Sequence, residues 1–178
     1  MPGTSVKKIY LVGMPGAGKT TFGKKLANAL GYAFIDLDAR IEAEVQLTIP
    51  EIFESKGETY FRQVEHDCLL QTKFKHSAII ATGGGTPCFF NQMEWMNAHG
   101  LTIYLEAMPQ LLADRIVAGE GRRPLFDGKN PQERLQYIIH LLEARKHCYN
   151  QAKLKIKVPV NNLQTVATQA LQLLNRAD

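Results

Sequence analysis

The sequence predicts an α/β fold, a three-layer sandwich in which helices cover both faces of a five-stranded parallel sheet. Strand-length apolar runs alternate with stretches of helical periodicity, the first run leads into a glycine-rich turn that opens a helix, and 178 residues suit one domain better than two.

The elements follow in order. Lys8 to Gly13 (KIYLVG) is a β-branched and apolar run ending in glycine, which reads as a buried strand. From Gly18 to Leu30, the residues Phe22, Leu26, Ala29 and Leu30 recur at helical spacing, and Gly31 stops the helix. Ala33 to Asp36 is a second strand, Ser77 to Thr82 a third, Leu101 to Glu106 a fourth, and Lys153 to Val158 a fifth, closed by Pro159. Leu135, Ile138, Ile139 and Leu142 mark another helix, and Leu163, Val166, Ala167, Ala170, Leu171 and Leu174 mark the last. Strands that alternate with helices imply parallel pairing. Two segments stand outside this pattern: a largely helical stretch from Ala39 to Lys75, and the Gly-, Arg- and Pro-rich loop from Gly119 to Asn130 (GEGRRPLFDGKN). Insertions of this kind on an open α/β sheet usually form substrate lobes and lids. The expected organisation is therefore a single domain, 1–178, with a substrate lobe at about 39–75 and a lid at about 119–130.

Composition is ordinary for a globular protein, at 45% hydrophobic and 21% charged residues, with no repeat or low-complexity tract. The net charge of +4 is compatible with nucleic acid, a membrane surface or small anionic substrates. No dense Lys/Arg run with interleaved aromatics is present, so no nucleic-acid partner is expected. Cys68, Cys88 and Cys148 are scattered and odd in number, which argues against a disulfide framework or a zinc site and for reduced thiols. MPGTSVKK runs straight into a strand without a secretory apolar stretch, and no apolar run is long enough to span a membrane. A cytoplasmic monomer is the default expectation.

GMPGAGKT, from Gly13 to Thr20, satisfies the phosphate-loop pattern through Gly13, Gly18, Lys19 and Thr20, and it lies between a strand and a helix as the motif requires. Glycines let backbone N–H groups converge on phosphate oxygens, and the following helix directs its positive end at the anion. Lys19 is suited to the β- and γ-phosphates, and the Thr20 hydroxyl to Mg²⁺. Gly16, Ala17, Gly18, Lys19, Thr20 and Thr21 form the expected ATP-binding stretch.

Asp36-Leu37-Asp38 ends the second strand, where open α/β sheets face their ligands. In a strand pattern Asp36 and Asp38 project to one side with Leu37 opposite. One carboxylate can then organise hydrated Mg²⁺ while the other accepts a hydrogen bond from an acceptor hydroxyl. The alternative for Asp38 is to cap a helix that begins near Ala39, a role that does not exclude substrate contact. Arg145 lies on the apolar seam of Leu135, Ile138, Leu142 and Tyr149, where a guanidinium needs an anionic partner, either a substrate or a structural carboxylate. Arg62 has Glu65 at i+3, which is either an exposed ion pair or an arrangement that aims Arg62 at a substrate carboxylate. Arg122 and Arg123 in the lid are either a solvated pair or a cationic stabiliser of the phosphoryl group. Gly83, Gly84 and Gly85 end the third strand and suggest close backbone approach to a ligand, with a plain loop as the alternative.

Together these residues resemble the shikimate kinase family, within the nucleoside-monophosphate-kinase-like P-loop group. The resemblance runs through nearly the whole chain: GMPGAGKT, DLD at Asp36 to Asp38, GETYFR ending at Arg62, ATGGG at Ala81 to Gly85, RRPL at Arg122 to Leu125, and RKHCY from Arg145 to Tyr149. It implies the strand order 2-3-1-4-5 and transfer of the ATP γ-phosphate to the 3-hydroxyl of shikimate, on the route to chorismate and aromatic amino acids. It also implies that Asp38, Arg62, Gly83, Gly84, Gly85 and Arg145 hold shikimate. Lys19, Asp38 and Arg123 would be catalytic, and Thr20 and Asp36 would support Mg²⁺. On the adenine side the family often has Arg or Gln after the fifth strand, whereas this chain has Asn161. An Asn can hydrogen-bond adenine without stacking on it, or can cap the last helix. Arg115, ahead of the lid, is assigned to the adenine side, while the resemblance implies that Arg123 contacts ATP from the lid and stabilises the transferring phosphoryl group. A polyol kinase such as a gluconate kinase, and a non-catalytic nucleotide sensor, are the competing readings.

Overall fold

The computed structural model describes residues 6–74, 76–118 and 129–176. The expected lid, including Arg122 and Arg123, lies almost wholly outside them.

Among the described residues, five strands form one parallel sheet: β1 (Lys8–Val12), β2 (Ala33–Asp36), β3 (Ala78–Ala81), β4 (Leu101–Glu106) and β5 (Leu154–Lys157). Their order across the sheet is β2-β3-β1-β4-β5. Ile9 stands opposite Ile79 on one side and Leu101 on the other, so the strand that leads into the phosphate loop is the central one. Every residue of β1 and β3 is buried, which requires a helical layer on each face. The edge strand β5 instead alternates half-buried Leu154 and Ile156 with exposed Lys155 and Lys157, and these lysines also discourage pairing with another sheet edge.

Seven helices are described: α1 (Lys19–Leu30), α2 (Leu37–Val45), α3 (Ile49–Leu70), α4 (Gln92–His99), α5 (Pro109–Ala118), α6 (Pro131–Tyr149) and α7 (Leu163–Arg176). The stretch expected as one helical insertion is thus two helices and a 3₁₀ turn. Thr48 and Glu51 cap α3 reciprocally, as Asn130 and Glu133 cap α6, and both caps are followed by proline within the first turn. The backbone of α3 breaks at Gly57 (φ 81°, ψ 170°), which divides it into two helical pieces. Cys68, Cys88 and Cys148 are free thiols. Among the described residues no helix is long and apolar enough to cross a membrane.

The core is centred on the buried strands, with Leu26 of α1, Ile41 of α2, Ile52 and Leu69 of α3 and Leu112 of α5 packed around them. α1 approaches the sheet closely because Gly23 has no side chain. A Cβ there would fall 2.6 Å from Phe34 Cε2 and 2.9 Å from Leu11 Cδ1. Alanine would gain about 1 kcal/mol of helix propensity. It would also overpack the α1–sheet contact at a cost of about 1–3 kcal/mol. Because Leu11 is fully buried and has nowhere to retreat, overpacking wins. Gly23→Ala is expected to lower unfolding free energy by up to about 2 kcal/mol in urea titrations; a stabilised variant would show that α1 is not held at its closest approach.

Candidate active site

The phosphate loop stands directly on the carboxyl end of β1. Gly16 and Gly18 have φ of 84° and 88°, which side chains rarely adopt. Gly18 is the N-cap of α1, with no side-chain cap and no acid in the first helical turn. The helix therefore offers its N–H groups and positive end to an anion. Lys19 arches back over the loop and donates to the carbonyls of Gly13 at 2.8 Å and Met14 at 3.0 Å. The Thr20 hydroxyl donates to Asp36 Oδ2 at 2.8 Å, so two hard oxygen donors of the kind Mg²⁺ prefers lie together beside the loop.

The carboxylates of the DLD segment are arranged differently from the expected strand. β2 ends at Asp36 and α2 starts at Leu37. Asp36, not Asp38, is the helix cap, its Oδ1 accepting from Ala39 N–H at 3.4 Å. Leu37 turns into the core, fully buried. Asp38 sits in the first helical turn, so a helical turn rather than a β-pleat brings both carboxylates to the cleft. Burial pushes the Asp38 carboxyl up to about 6; the Lys19 ammonium opposes this, while Asp36, Glu65 and Glu42 add to it.

Gly83, Gly84 and Gly85 form the hub of the acceptor side. A Cβ on Gly83 would lie 2.9 Å from Glu65 Oε1 and 3.0 Å from Asp38 Oδ1. On Gly84 it would lie 2.6 Å from Pro15 Cδ and 3.2 Å from Arg145 Nη1, and on Gly85 only 2.7 Å from Arg62 Nη2. The close approach expected here is therefore made by the site's own side chains, drawn from α2, α3, α6 and the phosphate loop. Tyr149, four residues beyond Arg145 on α6, is fully buried and donates from its hydroxyl to the Gly84 carbonyl at 2.6 Å. Burial pushes the Tyr149 phenol up, so it keeps the proton it donates.

Arg62 is only 8% exposed and Glu65 is fully buried, which rules out an exposed helical pair. Arg62 Nη1 meets Glu65 Oε2 at 2.9 Å, and Thr86 donates to the other oxygen, Glu65 Oε1, at 2.5 Å. Glu58 Oε1 accepts from Arg62 Nε at 3.2 Å and Nη2 at 3.1 Å. The Phe89 ring lies 4.1 Å from the guanidinium carbon. Among the described residues no ion pair involves Arg145, so the structural carboxylate considered for it is not found there.

The phosphate loop, the two DLD carboxylates, Gly84 and Arg145 face a cleft of about 1170 Å³. Gly16, Gly18, Lys19, Thr20, Thr21, Asp36, Asp38, Gly84 and Arg145 line it, joined by Ile49 and Phe53 of α3 and Ile138 of α6. Ala17, Arg62, Gly83, Gly85, Arg115 and Asn161 are not on its wall. Ala17 is buried, and its N–H bonds to Met14 O at 3.1 Å. Arg115 Nη1 instead lies 3.4 Å from the carbonyls of Gly16 and Ala17, against the outside of the phosphate loop. The cap of α7 is Asn162, whose Oδ1 accepts from Thr165 N–H at 3.0 Å, while Asn161 is exposed. Arg123 lies outside the described residues. The roles of Tyr149, Thr86 and Phe89 escaped the sequence reading. Thr86 directly follows the glycines, and a buried Glu65 needs a second donor, so its role was the most recoverable of the three.

A phosphate loop facing an acceptor pocket, with a carboxylate between them, defines a P-loop phosphotransferase. The family model for shikimate kinase matches residues 15–175, and the chain belongs to that family. It is 43% identical to a shikimate kinase of Bacteroides fragilis over 145 residues, covering 82% of this chain and 81% of the relative. Among solved structures, a shikimate kinase of Bacteroides thetaiotaomicron is similar with a TM-score of 0.87 at 35% identity, over 96% of this chain and 99% of that one. A shikimate kinase of Acinetobacter baumannii in complex with shikimate is similar with a TM-score of 0.82 at 34% identity, over 98% and 96% of the two chains.

The raised Asp38 carboxyl makes a signed prediction. The folded protein holds this proton more tightly than the unfolded chain, so stability falls as pH rises from about 4 through about 6. Above that window the ionised carboxylate destabilises the fold by on the order of 2–3 kcal/mol. Asp38→Asn is therefore expected to raise the melting temperature at pH 8, with a gain that shrinks towards pH 4. A gain independent of pH would contradict a buried, ionised carboxylate.

Proposed function

We propose that this chain phosphorylates the 3-hydroxyl of shikimate with ATP, releasing shikimate 3-phosphate and ADP on the route to chorismate and the aromatic amino acids. The observation that carries this reading is the meeting of Asp38, Arg145 and Arg62 at three consecutive glycines beside the phosphate loop. Two guanidinium groups suit one carboxylate, and a carboxylate next to the loop suits one hydroxyl. The Acinetobacter baumannii relative captured with shikimate supports the same acceptor. A polyol without a carboxylate would leave Arg145 without an anionic partner.

In this reading the loop residues Gly16 to Thr21 hold the ATP phosphates, and Lys19 follows the transferring phosphoryl group as charge develops on it. Asp38 orients the attacking hydroxyl and takes up its proton. Arg62, Arg145 and the backbone of Gly83 to Gly85 fix the acceptor carboxylate. Thr20 and Asp36 are the donors for Mg²⁺, which supplies neutralisation of phosphate charge when bound. Arg123, Arg115 and Asn161 are assigned to ATP from the family resemblance. Residues 39–75 serve as the acceptor lobe of a single domain, 1–178, and the enzyme works as a cytoplasmic monomer.

A coupled assay for ADP with Mg-ATP and shikimate, gluconate, nucleoside monophosphates or no acceptor tests the assignment. ADP release is expected to depend on shikimate; equal release without an acceptor would end the kinase reading, and preference for gluconate would move it to the polyol class. Arg145→Ala is expected to raise the shikimate KM by the equivalent of about 2–3 kcal/mol, with a much smaller effect on the ATP KM. An unchanged shikimate KM would make Arg145 a structural residue.

A further inference from the structure

Arg62 is held by two carboxylates of very different character. Glu65 is fully buried, bonded to Nη1 and anchored from behind by Thr86, whereas the Glu58 side chain is 57% exposed and bonds only along the Nε–Nη2 edge. The end of the guanidinium is crowded by Gly85, where even a Cβ would come within 2.7 Å of Nη2 and 2.9 Å of Nη1. One flat face is covered by Phe89 at 4.1 Å. The edge able to take a further carboxylate is therefore the one Glu58 holds.

We infer that Glu58 is an internal stand-in for the acceptor's carboxylate, which occupies the recognition edge of Arg62 and is displaced when a carboxylate-bearing acceptor binds. This rests on the reading of Arg62 as an acceptor anchor. Charge favours exchange over co-occupation. Glu58 and Glu65 already place two negative charges on one guanidinium, and a third carboxylate on the same nearly buried cation would be repelled by both. Exposure decides which one leaves. Glu58 can swing into water and give up a solvent-screened pair of small value, whereas releasing Glu65 would strand a buried charge. Backbone geometry supports the same assignment. Gly57, immediately before Glu58, breaks α3, and a side chain there would meet nothing within 4 Å, so the helix restarts at Glu58 with open space at the break. Glu58 consequently sits in the first turn of the second helical piece, one turn before Arg62, the favourable order for such a pair. The exchange also acts on specificity, because an acceptor lacking a carboxylate has nothing with which to replace Glu58.

Binding of shikimate and of its neutral carboxamide analogue, measured calorimetrically on the full chain, tests this. Glu58→Ala is expected to tighten shikimate by about two- to fivefold, the worth of one exposed ion pair. It should leave the carboxamide within error, and Glu58→Gln should move shikimate in the same direction by less. A general structural effect of either substitution would move both acceptors alike, and that outcome overturns the exchange. So does weaker or unchanged shikimate binding by the Glu58 variants. Arg62→Ala separates the two levels: if it leaves shikimate binding unaltered, the anchor reading itself fails, whereas weakened binding there with no gain from Glu58→Ala defeats the exchange alone.

Discussion

Two guanidinium groups and a carboxylate can reach one short turn only because Gly83, Gly84 and Gly85 carry no side chains. Asp38 comes from α2, Arg62 from α3 and Arg145 from α6, and they pack 3.0, 2.7 and 3.2 Å from where the Cβ atoms of Gly83, Gly85 and Gly84 would stand. Pro15 of the phosphate loop fills the remaining side of Gly84, so the same turn also sets the separation between the phosphate and acceptor halves. The Tyr149 hydroxyl fixes the turn from below by taking up the Gly84 carbonyl, which has no side chain of its own to shelter it. Geometry accurate to a few tenths of an ångström is thus supplied by steric absence at three positions and by rigid neighbours around them.

Electrostatics in the cleft works against stability in the service of chemistry. Asp38 is surrounded by Asp36, Glu42 and Glu65, with Lys19 as the main compensating cation. A cleft optimised for folding alone would replace at least one of these carboxylates. Glu65 resolves its own burial differently, with a cation on one oxygen and a hydroxyl on the other. Glu65 is fully buried with its charge matched within the protein, which suits a residue that orients another rather than one that exchanges a proton.

The fold was legible because its signals are periodic and local. β1, β3 and β4 read as unbroken apolar runs, and Gly31 closes α1 where expected, with φ of 67°. The phosphate loop was legible because its residue types follow from binding phosphate at a helix N-terminus. Two capping alternatives weighed in the sequence are resolved by where the helices start. Asp36 rather than Asp38 caps α2, and of the two adjacent asparagines it is Asn162 that caps α7, because one residue decides where each helix starts. The division of the 39–75 stretch was present in sequence as Thr48-Ile49-Pro50-Glu51, a reciprocal cap with proline inside the first turn. Contacts such as Phe89 on Arg62, or Tyr149 on Gly84, join residues far apart in the chain, and periodicity carries no information about them.

The central position of β1 has a consequence for how the chain is assembled. Its partners are β3, beginning at Ala78, and β4, beginning at Leu101, so the strand that bears the phosphate loop is made long before either neighbour exists. During synthesis the loop residues leave the ribosome early but have no strand to pair beside until β3 is made, and lack the second neighbour until β4 follows. Parallel pairings at such separation carry a heavy loop-closure entropy before any contact repays it. The phosphate loop, first in the sequence, therefore takes its working shape only after β3 and β4 have been made.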